Sequence, residues 1–179
     1  MPEIALVTGA ADRIGAAIAR ALAASGHKVV VHCRKSRLKA DATIAAIRAE
    51  GGEAALVEAD LADRTQRAGL ISRAAQAFGP LTLLVNNAST FEPDSVMDLD
   101  ETLWDTHFAV HAEAPVFLSR DFARQLPEGA KGYIVNIVDS RVLDLSPAHF
   151  SYTLSKATLW TATRTLAQSL APRIRVNAI

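Results

Sequence analysis

Short apolar, β-branched runs alternate with alanine-rich helical stretches from one end of this chain to the other. This alternation restricts the fold more than any other feature. Residues 4–8, 28–32, 53–59, 81–85, 132–138 and 173–178 read as strands. Between them, residues 14–25, 41–50, 64–78, 100–126 and 152–170 read as helices, and Gly26 and Gly51-Gly52 close the first two. Strands joined through helices must make right-handed crossovers, and the result is a parallel sheet covered on both faces.

The expected fold is therefore α/β, a Rossmann-like doubly wound parallel sheet in strand order 3-2-1-4-5-6, with residues 1–179 as one domain. A chain of 179 residues, half of them apolar, is large enough to bury a core. Its 19 basic and 19 acidic residues balance, so no electrostatic case exists for nucleic acid or a membrane surface as partner. No uncharged apolar run reaches ~18 residues, so no transmembrane helix is expected. The single cysteine, Cys33, precludes an internal disulfide, and a reducing, cytoplasmic location is expected. Met1-Pro2-Glu3 runs straight into a strand, so no leader is expected, nor is a metal site.

Ligands of open α/β sheets bind outside the carboxyl ends of the strands, and the motifs fall there. Thr8-Gly9 to Gly15 joins the first strand to the first helix. Gly9 permits a tight turn, Gly15 permits close helix–strand packing, and the helix start at Ile14 offers unpaired N–H groups to a pyrophosphate. The spacing is Gly-x-x-x-Arg-x-Gly rather than the usual G-x-G-x-x-G. After the second strand come His32, Cys33, Arg34, Lys35 and Ser36, with no acid before Asp41. Arg34 and Lys35, joined by Arg13 from the first turn, favour a ribose 2′-phosphate over a free hydroxyl, hence NADP(H) over NAD. Asp60-Leu61, ending the third strand, is positioned to meet an adenine or to cap the next helix. Asn86-Asn87-Ala88-Ser89, ending the fourth, combines small and amide side chains that admit a cofactor closely.

Tyr152 and Lys156 lie four apart on one helix face. An ammonium ~4 Å from a phenol at an effective dielectric of ~20 is worth roughly 4 kcal/mol. That predicts a tyrosine pKa lowered by about three units, poised for proton transfer near neutrality. Asp139 leaves the fifth strand just before this helix.

With these residues in order on the expected elements, the chain resembles the short-chain dehydrogenase/reductases over its whole length. Within that family it is similar to the pteridine reductases at three departures from the common pattern. Arg13 and Ser89 stand where glycine is usual, and Asp139 stands where serine is usual. Ser140 is an alternative for that serine, although the spacing of Asp139 to Tyr152 matches better.

The resemblance implies NADPH-dependent reduction of a C=N or C=O group of a small molecule, most specifically a dihydropterin. A ketone, 3-oxoacyl or sugar reductase is the alternative, and a non-catalytic NADP-binding module the alternative from another class. It implies that Tyr152 supplies the proton, through Asp139 where the acceptor is a ring nitrogen. That step requires the Asp139 pKa to be raised by burial. Lys156 would hold the nicotinamide ribose, and Phe91 would stack on the substrate ring, with Arg13 and Ser89 nearby. His111 takes the place of an asparagine whose backbone carbonyl binds a catalytic water, and Pro115 four residues later is expected to kink the helix and free that carbonyl. The family continues beyond the point matching Ile179, so the sequence is expected to be a C-terminally incomplete version of the pattern. With that segment present, a homo-oligomer, tetramer or dimer, is implied.

Overall fold

A computed structural model describes residues 3–179, so the expectation about a leader at Met1-Pro2 lies outside the described residues. Six strands, β1 (Ile4–Val7), β2 (Lys28–Cys33), β3 (Ala54–Glu58), β4 (Leu83–Asn86), β5 (Gly132–Asn136) and β6 (Ile174–Ala178), form one sheet. Their order is β3-β2-β1-β4-β5-β6 and every neighbouring pair is parallel, as the alternation demands.

Each strand of the centre is buried on both faces, which is why these segments read as unbroken apolar runs rather than alternating ones. Ile4 and Leu6 of β1 point to one layer and Ala5 and Val7 to the other. The first layer packs against Leu70 and Ile71 of α4 (Leu70–Phe78) and Leu118 and Phe122 of α6 (Ala114–Gln125). The second packs against Ala19 of α1 (Arg13–Ala24) and Ile44 and Ile47 of α2 (Arg37–Ala49). No helix among the described residues is long and apolar enough to cross a membrane.

Three helices differ from expectation. Helix α2 begins at Arg37 rather than at residue 41, because its first turn is charged and carries little apolar periodicity. The stretch 64–78 is two helices, α3 (Arg64–Arg67) and α4. Ala68 turns extended and Gly69 takes φ 72°, a left-handed conformation that glycine adopts freely. The stretch 100–126 divides into α5 (Glu101–Phe108), a π-helical segment at Ala109–Glu113, and α6. Just before Pro115, where a kink was expected, the helix has a widened turn in which the Ala114 N–H reaches the Ala109 carbonyl five residues back. The last helix, α7, spans Phe150–Leu170.

At the carboxyl edge of the sheet the strand ends are tied by polar side chains. Asn86 and Asn136 are register partners, and Asn86 Nδ2 donates to Asn136 Oδ1 at 2.8 Å. Asn136 Nδ2 in turn donates to Thr163 Oγ1 of α7 at 2.8 Å. This chain of amides fixes where α7, and with it Tyr152, sits over the strand ends.

Candidate active site

A cleft of about 860 Å³ opens at that carboxyl edge. Its floor is the first turn. Gly9 has φ 63°, and a Cβ there would lie 2.8 Å from the Ala88 Cα. A Cβ on Gly15 would lie 2.2 Å from the Gly9 carbonyl oxygen and 2.5 Å from Asn87 Nδ2. Both glycines are therefore required by close backbone approach. Thr8 Oγ1 accepts from the N–H groups of Asn87 and Ala88 at 2.9 and 3.0 Å, and Asn87 Nδ2 donates to the Thr8 and Gly9 carbonyls. The Asn87-Ala88 segment is thus a brace for the turn as well as a wall of the cleft. Beyond it, Gly9, Ile14 and Gly15 bring the N-terminus of α1 to the cleft.

Arg13 enters α1 with φ 51°, in the left-handed region where a non-glycine residue is strained by about 1–2 kcal/mol. Arg13 and Arg34 both line the cleft, and neither forms an ion pair among the described residues. Neighbouring cations are engaged elsewhere: Arg37 with Glu58 and Lys39 with Asp12. Ser36 joins Arg34 at this corner, whereas Lys35, expected to do the same, does not line the cleft. His32 is also not a cation here. Its Nδ1 accepts from the Gly9 N–H at 3.1 Å, and its Nε2 meets the Ala59 carbonyl at 3.0 Å. Burial holds its pKa at about 4, so it is a neutral strut tying β2 to the first turn and to the end of β3. Asp60 caps the turn after β3 through the Ala62 N–H, and with Leu61 it closes the adjoining wall.

The chemistry sits at the other end. Tyr152 is 5% exposed and its hydroxyl donates to Asp139 Oδ2 at 3.1 Å. Lys156 is 3% exposed, and its ammonium donates to the Ile137 carbonyl at 2.8 Å, just past β5. The helix spacing does bring Lys156 near the Tyr152 ring, 5.8 Å from its centroid, but the expected lowering of the phenol is reversed. Burial, then the Asp139 carboxylate, push the Tyr152 hydroxyl up to about 12. Asp139 also departs from expectation. Burial draws it upward, but the Arg141 N–H, the Tyr152 hydroxyl and the Arg141 cation outweigh burial and hold it below the ordinary carboxylate value. Asp139 is an anion here and Tyr152 a neutral donor to it. Ser140, the alternative in this place, lies in the following 3-10 turn (Ser140–Val142), and the hydrogen bond from Tyr152 goes to Asp139.

Burial pushes Lys156 down to about 8 from the ordinary 10.5, so holding its charge costs the fold on the order of 3 kcal/mol. The unfolded chain binds this proton more tightly than the folded one. Stability is therefore expected to rise as pH climbs from about 8 to 10.5 and to be lost as pH falls through about 8. Urea midpoints of the ligand-free protein and of Lys156→Met across that window check this. The gap should move toward wild type with rising pH, and a constant gap would refute it.

His111 is buried and does not line the cleft. The Thr90 N–H donates to its Nε2 at 3.1 Å, so Nδ1 carries the proton toward Ser155 Oγ at 2.8 Å, and Ser89 Oγ lies 3.0 Å from Nε2. Burial and the nearby Lys156 push its pKa down to about 2, so the side chain stays neutral and locks the 89–90 loop to α7. One turn earlier, His107 meets Ser151 Oγ at 2.6 Å, and Ser151 donates to Asp94. No motif pointed to His107, because its partners and those of His111 lie on distant segments.

Phe91 is not a bare platform. His149 stacks on it at 4.0 Å between centroids, Tyr152 meets it edge-on at 4.7 Å, and the Arg141 guanidinium stands 5.2 Å from its centroid. Arg141 likewise belongs to no motif in the sequence.

Compared with known families, residues 3–179 match the one described as short chain dehydrogenase. An uncharacterised oxidoreductase of Methylorubrum extorquens is 40% identical, over 99% of this chain and 71% of that protein. Among solved structures, the FolM alternative dihydrofolate reductase 1 from Brucella canis, complexed with NADP, is 52% identical with a TM-score of 0.94, over 98% of this chain and 70% of that one. A short chain dehydrogenase from Burkholderia cenocepacia in complex with NADP is 39% identical with a TM-score of 0.92, over 98% and 72%.

Proposed function

Because the chain belongs to the short-chain dehydrogenase family, we propose that it is an NADP(H)-dependent reductase acting on the C=N bond of a dihydropterin-type ring. The observation that carries the substrate class is the hydrogen bond from Tyr152 to Asp139, made at the cleft wall beside Phe91. The 52% identity to a FolM alternative dihydrofolate reductase with NADP supports both halves of the reading.

The chain's residues fit the dinucleotide. The glycine turn and the start of α1 would hold the pyrophosphate, Arg13, Arg34 and Ser36 the 2′-phosphate, Asp60 and Leu61 the adenine end, and Lys156 the nicotinamide ribose. NADPH, when bound, supplies a hydride. The proton that completes reduction comes from this chain. Tyr152 keeps its proton at any working pH because burial and Asp139 disfavour the phenolate. Asp139 accepts the Tyr152 hydrogen bond as an anion held below the ordinary carboxylate value, so it orients the hydroxyl and the ring, and the proton comes from Tyr152 itself rather than through Asp139. Asn87, Ala88, Ser89 and the buried His111 position that wall. We extend the proposal to residues 3–179 as one NADP-binding unit, and to a cytoplasmic, homo-oligomeric full-length protein. The buried free thiol of Cys33 and the exposed Phe117 on α6, flanked by Arg67 and Arg120, support these.

The test is NADPH oxidation by the full-length protein against dihydropterins and simple ketones. Turnover of dihydropterins is expected. Asp139→Ser should lower kcat on them while sparing ketones, and Phe91→Ala should mainly raise KM, by roughly 2- to 10-fold for the loss of about 0.5–1.5 kcal/mol of stacking. Ketone turnover with dihydropterins untouched would remove the substrate assignment. NADPH binding without turnover of either would point to a binding module.

A further inference from the structure

The place where a planar ring would meet Asp139, Tyr152 and Phe91 together already has a planar occupant. Arg141 leaves the 3-10 turn after β5 and lines the same cleft as Tyr152 and Lys156. Its Nη1 donates to both Asp139 oxygens, at 3.2 and 3.4 Å, while its guanidinium carbon stands 5.2 Å from the Phe91 centroid. A guanidinium is flat, delocalised and rich in N–H donors, and it both pairs with carboxylates and stacks on aromatic faces. Those are also the features of the N–C(–N)–N edge of a 2-aminopyrimidine ring, whether free or fused into a larger heterocycle.

The resting contact is a poor one. Charge-assisted N–H···O bonds usually close to about 2.7–2.9 Å, and a well-used fork presents two nitrogens to a carboxylate. Here one nitrogen serves both oxygens at longer range, and the Arg141 Nε–H is buried without an acceptor. Asp139 does not depend on the side chain for all its partners, because the Arg141 backbone N–H donates to Oδ1 at 2.9 Å and Tyr152 donates to Oδ2. A guanidinium held this loosely is displaceable by a ligand that repeats its contacts with better geometry.

We propose that Arg141 is a specificity residue that acts as an internal occupant of the substrate place, displaced by planar heterocycles carrying a guanidine-like edge. The inference rests on the substrate reading above and deepens it. Such a heterocycle returns N–H donors to Asp139 and a flat face to Phe91 as Arg141 leaves. A simple ketone returns neither, so displacement leaves the carboxylate short of partners and the ketone is selected against.

The experiment is calorimetric titration of 2,4-diaminopyrimidine into the full-length protein loaded with NADPH, for wild type, Arg141→Met and Arg141→Lys. If Arg141 fills the place in roughly 90–99% of molecules, its removal tightens apparent affinity about 10- to 100-fold. Arg141→Met is expected to show that gain. Arg141→Lys keeps a cation for Asp139 without the flat fork and should show a smaller gain, which guards against a folding defect in the neutral variant. Added guanidinium ion should compete with diaminopyrimidine in Arg141→Met and have much less effect in wild type. Unchanged or weaker binding in both variants, or no competition by guanidinium, overturns the proposal. Dihydropterin turnover by wild type with unaltered diaminopyrimidine affinity in the variants would sink the role of Arg141 alone. Absence of dihydropterin turnover would sink the substrate reading, while the titration still decides whether Arg141 competes.

Discussion

Tyr152→Phe is expected to cut kcat by roughly 100- to 10,000-fold, the range that a positioned proton donor contributes. NADPH affinity should stay within a few fold of wild type. The reason is geometric. The hydroxyl is the group on this helix face that donates to Asp139, and the phenyl ring keeps its edge-on packing with Phe91 without it. Because the phenol is pushed up to about 12, its ionisation should leave no limb in the pH–rate profile near neutrality. The limb expected instead lies near pH 8, where Lys156 loses its proton and activity should fall as pH rises. Stopped-flow measurement of a single turnover, with cofactor binding followed separately by fluorescence, checks both statements. A variant retaining more than about a tenth of wild-type kcat would show that the proton has another source.

Replacing Arg13 and Arg34 together with alanine should weaken NADPH binding by roughly 100-fold or more, at about 1.5–3 kcal/mol for each charge-assisted hydrogen bond to the phosphate that is removed. NADH binding should change little. Lys35→Ala is the internal control, since Lys35 lies outside the cleft lining. Arg13 adds a second readout. Its φ of 51° is strained for arginine and free for glycine, so Arg13→Gly should raise ligand-free stability by about 1 kcal/mol while NADPH affinity falls. Titration of both cofactors against all variants decides it. Equal weakening for NADPH and NADH would show that these arginines do not read the 2′-phosphate.

The sheet was legible because its signal is redundant. Ile4 to Val7 are all buried, on alternating sides, so the apolar run and the βα alternation both require a central parallel strand. The break inside the stretch 64–78 was not legible. Ala68-Gly69 lies between good helix formers, and only packing of α4 on the sheet selects the left-handed glycine. The site shows the same division. Spacing placed Tyr152 and Lys156 on one face, but nothing local says that the ammonium will be taken by the Ile137 carbonyl of another element. The charge state of Asp139 depended on Arg141, two residues on, which reads as a solvated loop cation until the turn folds it back. Arg34 and Lys35 are adjacent and alike in sequence, and the direction of the chain leaving β2 separates them.

The widened turn at Ala109–Glu113 has a further consequence, for the phase of the long helix. A π turn carries one residue more than an α turn, so it stores an insertion without a loop. Each residue of an α-helix advances the side chains by about 100°. Before the segment, the helix must aim His107 at Tyr152; after it, Leu118 and Phe122 must meet the sheet. These two aims need not be compatible in one regular winding, and the extra residue sets them independently. Winding the same residues as a regular α-helix would rotate α6 by about 100° against α5, swinging Phe122 off the core while His107 stays in place, whereas removing a single residue between 109 and 113 would regularise the hydrogen bonding and leave both aims nearly unchanged. The segment works as a phase coupler between a half-helix dedicated to chemistry and one dedicated to the core.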